Sequence, residues 1–240
     1  MPYTRGRSPV RSGFRSKRTR RVSRSSSSIA RAPARRIGGY LWGPGNSYLS
    51  KYFDPFPAKA HYTLRYSDQI TLNPAVAATS HYHFRANSIF DPDRTGVGHQ
   101  PYGHDTLSNI YKSYVVDKAV ITLIPTQFGN TACTYGVRVA ENTLTGTFHQ
   151  VREIKGTTMS TTAVGARPVP ISRTYERSKM WPIEKDTTAI FGNNPDIAAE
   201  AYFDIFMQGP NQSPDPGSVD YIVNITYYVT CFELVQLPGS

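Results

Sequence analysis

The last strand-like segment of the chain is the feature that most constrains its fold. Between positions 219 and 231, every second residue is apolar or aromatic, and the residues between them are mostly polar. Successive side chains of a β-strand point to opposite faces, so this period of two indicates a strand with one buried face. The residues predicted to face the core are Val219, Tyr221, Val223, Ile225, Tyr227, Val229 and Cys231.

Four other segments alternate in the same way, namely 61–66, 80–87, 132–141 and 201–208, and the apolar segment 115–124, closed by Pro125, is also strand-like. Each predicts a half-buried antiparallel strand, with one apolar face toward the core and the other toward solvent. The predicted outer faces include His81, His83 and Arg85 in one strand, and Tyr202, Asp204, Phe206 and Gln208 in another.

One short helix is predicted over 105–111, with Asp105 as its cap and Leu107, Ile110 and Tyr111 on one face. The segments 156–173 and 208–218 are predicted to be long loops. About eight strands with long loops and one short helix indicate an all-β protein. The predicted fold is a single eight-stranded antiparallel jelly roll, or a similar sandwich, of two packed sheets.

The excess positive charge is confined to the N-terminus. Residues 1–36 hold twelve of the 27 basic residues and no acidic residue. With the other 15 basic and all 17 acidic residues, residues 37–240 carry a net charge of −2. The arm has too few apolar residues to fold alone, so we predict that it is disordered. We also predict that it binds nucleic acid by contacting the phosphates of the nucleic acid. Its predicted binding residues are Arg5, Arg7, Arg11, Arg15, Lys17, Arg18, Arg20, Arg21, Arg24, Arg31, Arg35 and Arg36.

The arm favours phosphate binding over base recognition. Eleven of its twelve basic residues are arginines, whose planar guanidinium groups bind phosphate oxygens bidentately. Part of the arm also matches a nuclear localisation signal, formed by Arg15, Lys17, Arg18, Arg20 and Arg21.

Residues 37–60 are predicted to be an ordered but irregular lead-in to a body domain at 61–240. This lead-in is rich in glycine, proline and aromatic residues. Its aromatic side chains could stack on bases, although packing against a sheet edge is the favoured interpretation. They are Tyr40, Trp42, Tyr48, Tyr52 and Phe53.

No catalytic motif is found in the sequence, so we predict that the protein is not an enzyme. The glycines at 96 and 98 begin a dinucleotide-binding pattern, but Pro101 occupies the position of its last glycine. The chain contains no Gly-Lys-Ser/Thr and no Gly-x-Ser-x-Gly segment. No apolar run reaches the ~18 residues that a membrane span needs, and the basic N-terminus lacks the apolar core of a secretory signal. We therefore expect no membrane insertion.

Neither a cofactor nor a metal ion is predicted, although two groups of residues offer ligand atoms. His81 and His83 share a strand face and could chelate a metal, but a polar sheet face is the favoured explanation. Asp91, Asp93 and Asp105 could bind Ca²⁺, but Asp-Pro commonly opens a turn, and that interpretation is favoured.

The two cysteines and the two glycosylation-type sequences are also expected to have no special role. Cys133 and Cys231 lie in apolar segments and are predicted to be free core thiols, which suits synthesis in a reducing compartment. The sequences at Asn211 and Asn224 are interpreted as chance matches.

The segment from His83 to Asp105, HFRANSIFDPDRTGVGHQPYGHD, resembles a recurring segment of one family of viral capsid proteins. The family belongs to circovirus-like, replication-initiator-encoding circular single-stranded DNA viruses. The family pattern is FRxNSxFDPDxTGxGHQPxGxD, and this chain departs from it mainly at Arg94 and His104. The final strand, 221–229, is also similar to the last strand of that family.

The resemblance implies a jelly-roll capsid subunit, of which about sixty copies form a small icosahedral shell around single-stranded DNA. The arm would face inward and also serve for nuclear import. The implied partners are other copies of the chain, the DNA genome (or RNA in vitro), nuclear import receptors and an unidentified host-cell receptor. The implied locations are the virion and, during assembly, the host nucleus. Two alternatives are a β-sandwich that binds nucleic acid without assembling and a lectin-type sandwich with a basic tail.

The central segment is predicted to be a rigid loop with an architectural or subunit-contacting role. Glycine and proline restrict its backbone, and the Asp and Asn side chains can close turns. The predicted loop residues are Asn87, Asp91, Pro92, Asp93, Gly96, Gly98, His99, Gln100, Pro101 and Asp105.

Overall fold

The alternating segments form two antiparallel sheets in the computed structural model of the chain. The structure describes residues 56–126, 132–141, 143, 147–162, 165, 167, 169–181, 185–209, 215 and 217–236. The strands in these ranges are β1 (Lys59–Leu72), β2 (Thr79–Arg85), β3 (Tyr111–Pro125), β4 (Cys133–Ala140), β5 (Thr158–Thr162), β6 (Ile171–Glu176), β7 (Ala189–Ile190), β8 (Tyr202–Gln208) and β9 (Val219–Leu234). The short helices are α1 (His104–Ser108), α2 (Phe148–Glu153) and α3 (Arg177–Met180), with a 3-10 turn at Ile197–Ala199.

The strand order is that of a jelly roll. One sheet has the order β1-β9-β3-β6, with β7 also paired to β3, and the other has the order β2-β8-β4-β5. All of these pairings are antiparallel. Strands from the two ends of the chain therefore lie side by side in each sheet, as Greek-key connections require. The predicted jelly roll is confirmed, and the two-residue β7 adds a ninth strand to the eight expected.

The apolar face of β9 forms the centre of the core. All seven residues predicted for this face are buried, with at most 1% of their surface exposed. β9 lies between β1 and β3, and its pairing with β1 runs from Lys59 opposite Phe232 to Leu72 opposite Val219. A slip of one residue would turn the whole apolar face toward solvent, so the alternating pattern also fixes this register.

The core is rich in buried tyrosines, and several of their hydroxyl groups donate hydrogen bonds to backbone carbonyls. The Tyr114 hydroxyl lies 3.0 Å from the carbonyl oxygen of Asn193, and the Tyr227 hydroxyl lies 2.8 Å from that of Arg85. A buried hydroxyl without a partner is unfavourable, so these bonds link the loop at Asn193 and the end of β2 to the core at defined points. Burial raises the pKa of Tyr114 to about 12, which keeps its hydroxyl protonated as a donor.

Two tyrosines of β9 provide a matched test of these hydroxyl contacts. We expect Tyr227→Phe to lower the free energy of unfolding by about 1–2 kcal/mol, because it removes the bond to Arg85. Among the described residues, the buried Tyr221 hydroxyl has no hydrogen-bond partner, so Tyr221→Phe should be neutral or slightly stabilising. Chemical denaturation of both variants measures the difference, and equal losses would contradict this assignment.

The prediction of a long loop at 156–173 was wrong. The segment contains β5 and the start of β6, and β5 pairs with β4 from Cys133 opposite Thr162 to Val137 opposite Thr158. The sequence of β5, TMSTT, has few apolar residues to alternate, but threonine is β-branched and suits a strand. The predicted loop at 208–218 agrees with the end of β8 at Gln208 and the start of β9 at Val219.

The predicted helix at 105–111 is shorter than expected, and the role assigned to Asp105 as its cap was wrong. α1 ends at Ser108, and Tyr111 already belongs to β3. The residue preceding α1 is Gly103, which has a φ of 92° and therefore a left-handed conformation that favours glycine. The carboxylate of Asp105 instead lies 3.0 Å from Nδ1 of His104.

Two further helices were not predicted. α2 begins with a capping box, in which the Gln150 side chain accepts a hydrogen bond from the Thr147 backbone N–H at 2.9 Å. α3 is a single turn after β6. No helix in the described ranges is long and apolar enough to cross a membrane.

The second face of β8 was predicted to meet solvent, and this prediction was wrong. All seven residues of β8 are buried, including Tyr202, Asp204, Phe206 and Gln208. In the neighbouring β4, Gly136 and Arg138 on the same side are buried as well. The β2-β8-β4-β5 sheet is therefore buried on both faces at its centre, and its outer face holds charged groups that are removed from water.

Candidate functional site

The loop between β2 and α1, residues 86–103, is held to the body by buried polar side chains. Asn87 is fully buried, and its amide nitrogen donates to the Ala199 carbonyl at 2.7 Å while its amide oxygen accepts from the Ala201 N–H at 2.9 Å. The Ser88 hydroxyl lies 2.6 Å from Oδ1 of Asn194 and 3.1 Å from the Tyr114 hydroxyl. The loop is thereby attached to the segment that precedes β8.

Arg85, the last residue of β2, joins this loop to the same segment through ion pairs. Its Nε donates to Glu200 Oε1 at 2.9 Å, and its Nη1 donates to Asp91 Oδ2 at 3.1 Å. Nη1 also reaches the backbone carbonyls of Asp91 at 3.0 Å and Asp93 at 3.3 Å. Burial raises the pKa of Asp91, and the positive charge of Arg85 opposes that rise. One guanidinium therefore holds three points of the chain together.

The middle of the loop turns around Asp93, which is 2% exposed. Its carboxylate accepts hydrogen bonds from the Tyr82 hydroxyl at 2.8 Å and from the Thr95 N–H at 2.9 Å. The pKa of Tyr82 is raised to about 12, mainly by burial and next by the hydrogen bond from its hydroxyl to Asp93. A Cβ on Gly98 would lie 2.8 Å from both Asp93 Cβ and the Tyr66 hydroxyl, so the close approach of the loop to β1 requires glycine there.

The remaining predicted loop residues divide between the interior and the surface. Gly96 has a φ of 77°, as its turn requires, and His99 is exposed but stacks on Tyr66 at a centroid distance of 4.6 Å. Pro92 and Pro101 are buried and Gln100 is half-buried. The surface of the loop also presents two apolar side chains, Val97 (84% exposed) and Tyr102 (94% exposed).

A second polar cluster lies on the outer face of the β2-β8-β4-β5 sheet, around the fully buried carboxylate of Asp204. Arg138 Nε donates to Asp204 Oδ2 at 2.6 Å. The other carboxylate oxygen of Asp204, Oδ1, lies 2.9 Å from His81 Nδ1 and 3.3 Å from His83 Nε2. Burial lowers the pKa of His83, and the negative charge of Asp204 opposes the shift. The three residues His81, His83 and Asp204 offer ligand atoms that all lie within 4.8 Å of one another.

An open cavity of about 840 Å³ adjoins this cluster and shares His81 with it. Its walls come from separate parts of the chain, including β2, β4, β5, β8 and α2. Among the lining residues are Thr79, Cys133, Thr161, Phe148, Arg152 and Gln208.

The other candidates from the sequence have different outcomes. All twelve basic residues of the arm, the nuclear-localisation residues within it, the aromatic residues at 40–53 and Asn211 lie outside the described residues. β1 begins at Lys59, two residues before the predicted start of the body domain. Cys133 and Cys231 are buried and free, as predicted. Asp91, Asp93 and Asp105, considered as oxygen ligands, contact Arg85, Tyr82 and His104 respectively.

Sequence reasoning missed Asp204 and Arg138 as partners of the two histidines. The alternating pattern placed Asp204 on an outer face that was expected to be solvated. A signal was nevertheless present, because Tyr202 and Phe206 occupy the same face of β8 and are too apolar for a freely solvated one. The register then determines the cluster, since His83 lies directly opposite Asp204 and Arg138 lies opposite it on the other side.

No protein-family model matches the sequence, and no curated protein matches it. Solved structures with a similar fold include that of the mud crab tombus-like virus, with a TM-score of 0.50 and 10% identity. That similarity covers 80% of this chain and 98% of the other. At this identity, the similarity shows a shared jelly-roll fold.

Two other similar structures are those of a virus-like particle and of a capsid-protein 60-mer. A semi-empty virus-like particle of the nodavirus of the giant freshwater prawn, Macrobrachium rosenbergii, gives a TM-score of 0.47 and 10% identity over 78% of this chain and 100% of the other. The 60-mer of the BFDV capsid protein gives a TM-score of 0.41 and 14% identity over 77% of this chain and 100% of the other.

Proposed function

We propose that this chain is a viral capsid subunit that assembles into a closed shell and packages single-stranded DNA through its N-terminal arm. The observation that carries the proposal is the combination of a jelly-roll body with an arm that holds all of the excess positive charge. The resemblance of the segment 83–105 to circovirus-like capsid proteins supports the same function. The role is structural and not catalytic.

Features of the body are suited to contacts between copies of the chain. Among the described residues, the outermost strands pair on one side only, and these are β1 and β6 in one sheet and β2 and β5 in the other. The firmly attached loop 86–103 presents exposed Val97 and Tyr102 at a surface fixed by buried bonds. A body charge of only −2 gives neighbouring bodies little mutual repulsion. We assign the loop a role in subunit contact as well as in the architecture of the subunit.

The arm accounts for genome binding. Each of its twelve basic residues can neutralise one phosphate and release a condensed counterion. A shell of about sixty copies would bring roughly 720 positive charges to its interior, which suits a genome on the order of a thousand nucleotides or somewhat more. The run from Arg15 to Arg21 would also direct the subunit to the nucleus, where it would meet the viral DNA.

The direct test is to express the full chain, treat it with nuclease in moderate salt and view it by negative-stain electron microscopy. A body of about 200 residues is about 4 nm across, so about sixty copies would tile a closed particle of roughly 20 nm. We expect such particles, with nuclease-resistant nucleic acid inside them.

The two alternative functions predict different results in this experiment. A β-sandwich that binds nucleic acid without assembling would remain monomeric and release its nucleic acid at high salt. A lectin-type sandwich would bind glycans and form no closed shell. Either result would overturn the capsid proposal.

A further inference from the structure

We propose that His81, His83 and Asp204 form a binding site for a zinc-class divalent cation on the outer face of the β2-β8-β4-β5 sheet. The proposal does not depend on the proposed packaging function. Two imidazoles and one carboxylate are ligands that Zn²⁺ prefers, and three protein ligands are typical of sites with a further position for water.

Two distances in the cluster are close to those between the ligands of a zinc ion. Zinc–nitrogen and zinc–oxygen bonds of about 2.0–2.2 Å place tetrahedral ligand atoms about 3.3 Å apart. Asp204 Oδ1 lies 2.9 Å from His81 Nδ1 and 3.3 Å from His83 Nε2. The carboxylate oxygen is therefore already near its place for an ion, and the two imidazole nitrogens lie within 4.8 Å of each other.

The backbone holds the ligands rigidly in place. His81 and His83 are two residues apart on β2 and project from the same face, and their rings are nearly parallel, with 7° between their planes. His83 is directly opposite Asp204 on the neighbouring β8. Sites on paired strands are held more precisely than sites on loops, so little entropy is lost when the ion binds.

The contacts around the ligands also suit a cation. His83 Nε2 is buried and makes no hydrogen bond among the described residues, although it points at the Asp204 carboxylate from 3.3 Å. Arg138 binds the other carboxylate oxygen at 2.6 Å and fixes its orientation, as outer contacts commonly do around metal ligands. The adjoining cavity, which His81 also lines, gives an ion a route from solvent.

The experiment uses the full chain without an affinity tag, freed of nucleic acid by nuclease and of metal by EDTA. Zn²⁺ alone is titrated by calorimetry, and elemental analysis after dialysis gives the stoichiometry. We expect one ion per chain and at least tenfold weaker binding in His83→Gln. His61→Gln is the matched control, because His61 is exposed on β1 in the opposite sheet. The His61→Gln chain should bind Zn²⁺ with the same affinity as the unmodified chain.

Two further measurements make the result specific. His81→Gln repeats the test in case His83→Gln does not fold, and circular dichroism identifies folded variants. Co²⁺ in place of Zn²⁺ should give a spectrum without thiolate-to-cobalt charge transfer, because Cys133 and Cys231 are buried and burial raises the pKa of both thiols. The proposal is overturned by no stoichiometric binding, by equal affinity in the folded histidine variants, or by a thiolate band.

Discussion

Deletion of residues 1–36 should leave a folded body and abolish nucleic-acid packaging. The deletion removes twelve positive charges and leaves a body with a net charge of −2, which has no electrostatic reason to bind a polyanion. The β-sheet core is built from residues that begin at Lys59, so the jelly roll should persist. The measurement is the ratio of nucleic acid to protein after nuclease treatment, with circular dichroism to verify folding. We expect the nucleic-acid signal to fall to background.

A charge-only variant separates the role of the arginines from that of the arm's length. Replacing all twelve basic residues by glutamine keeps the length, and it should abolish packaging as fully as the deletion does. If the deleted or glutamine variant still protected DNA from nuclease, packaging would belong to the body and the assignment to the arm would be wrong.

The salt dependence of binding gives the same test a quantitative form. We consider the case in which all twelve basic residues contact phosphates. A plot of the logarithm of the affinity of one chain for single-stranded DNA against the logarithm of the salt concentration should then have a slope of about −8. Replacing Arg31, Arg35 and Arg36 by glutamine should reduce the magnitude of this slope by about 2. Fluorescence titration with a short oligonucleotide, below the concentration at which the chain assembles, measures both values.

Strands that are buried on one face only could be predicted from the sequence. In β9 the period of two extends over seven buried positions, because one face packs in the core and the other does not. The pattern therefore identified the strand and the side that faces the core. A jelly roll followed from the number of such strands and from the long connections between them.

The sequence failed where the decisive contacts are non-local. β8 is buried on both faces, so its alternation could not show that Asp204 is removed from solvent. β5 owes its strand conformation to pairing with β4, since its own residues have little apolar character. The cap of α1 depends on the left-handed conformation of Gly103, while the pattern favoured the side chain of Asp105. In β8 and β5, neighbouring elements rather than local propensity determined the outcome, whereas the start of α1 was determined by the backbone conformation of the glycine before it.

The cluster of His81, His83 and Asp204 shows that non-local contacts also limit the prediction of a site from sequence. His81 and His83 were recognised as a possible chelating pair from their spacing alone. Their third partner, Asp204, lies more than a hundred residues away in the chain and becomes a neighbour only through the pairing of β2 with β8. Spacing within one strand can therefore indicate two ligands, but the register of the sheet is needed to complete the site.

Arg85→Met should destabilise the body more than any other single side-chain change discussed above. The substitution removes the guanidinium from Glu200 and Asp91 while leaving most of the aliphatic volume in place. The side chains of Arg85 and Glu200 are only 13% and 7% exposed, so Glu200 would become a buried carboxylate without its cation. Breaking one partner of a buried ion pair costs about 3–5 kcal/mol, and we expect a loss near the lower end because Asp91 is partly hydrated.

The loss should be measured by chemical denaturation of the full chain, with light scattering to verify the same assembly state for each variant. Arg65→Met is the matched control, since Arg65 is an exposed residue of β1, and it should change the free energy of unfolding by less than about 0.5 kcal/mol. The same anchor holds the loop that carries Val97 and Tyr102. A folded Arg85→Met chain should therefore also form fewer closed particles. A loss no larger than that of Arg65→Met would mean that the ion pairs of Arg85 do not hold the loop, and that its position is determined by Asn87 and the backbone bonds.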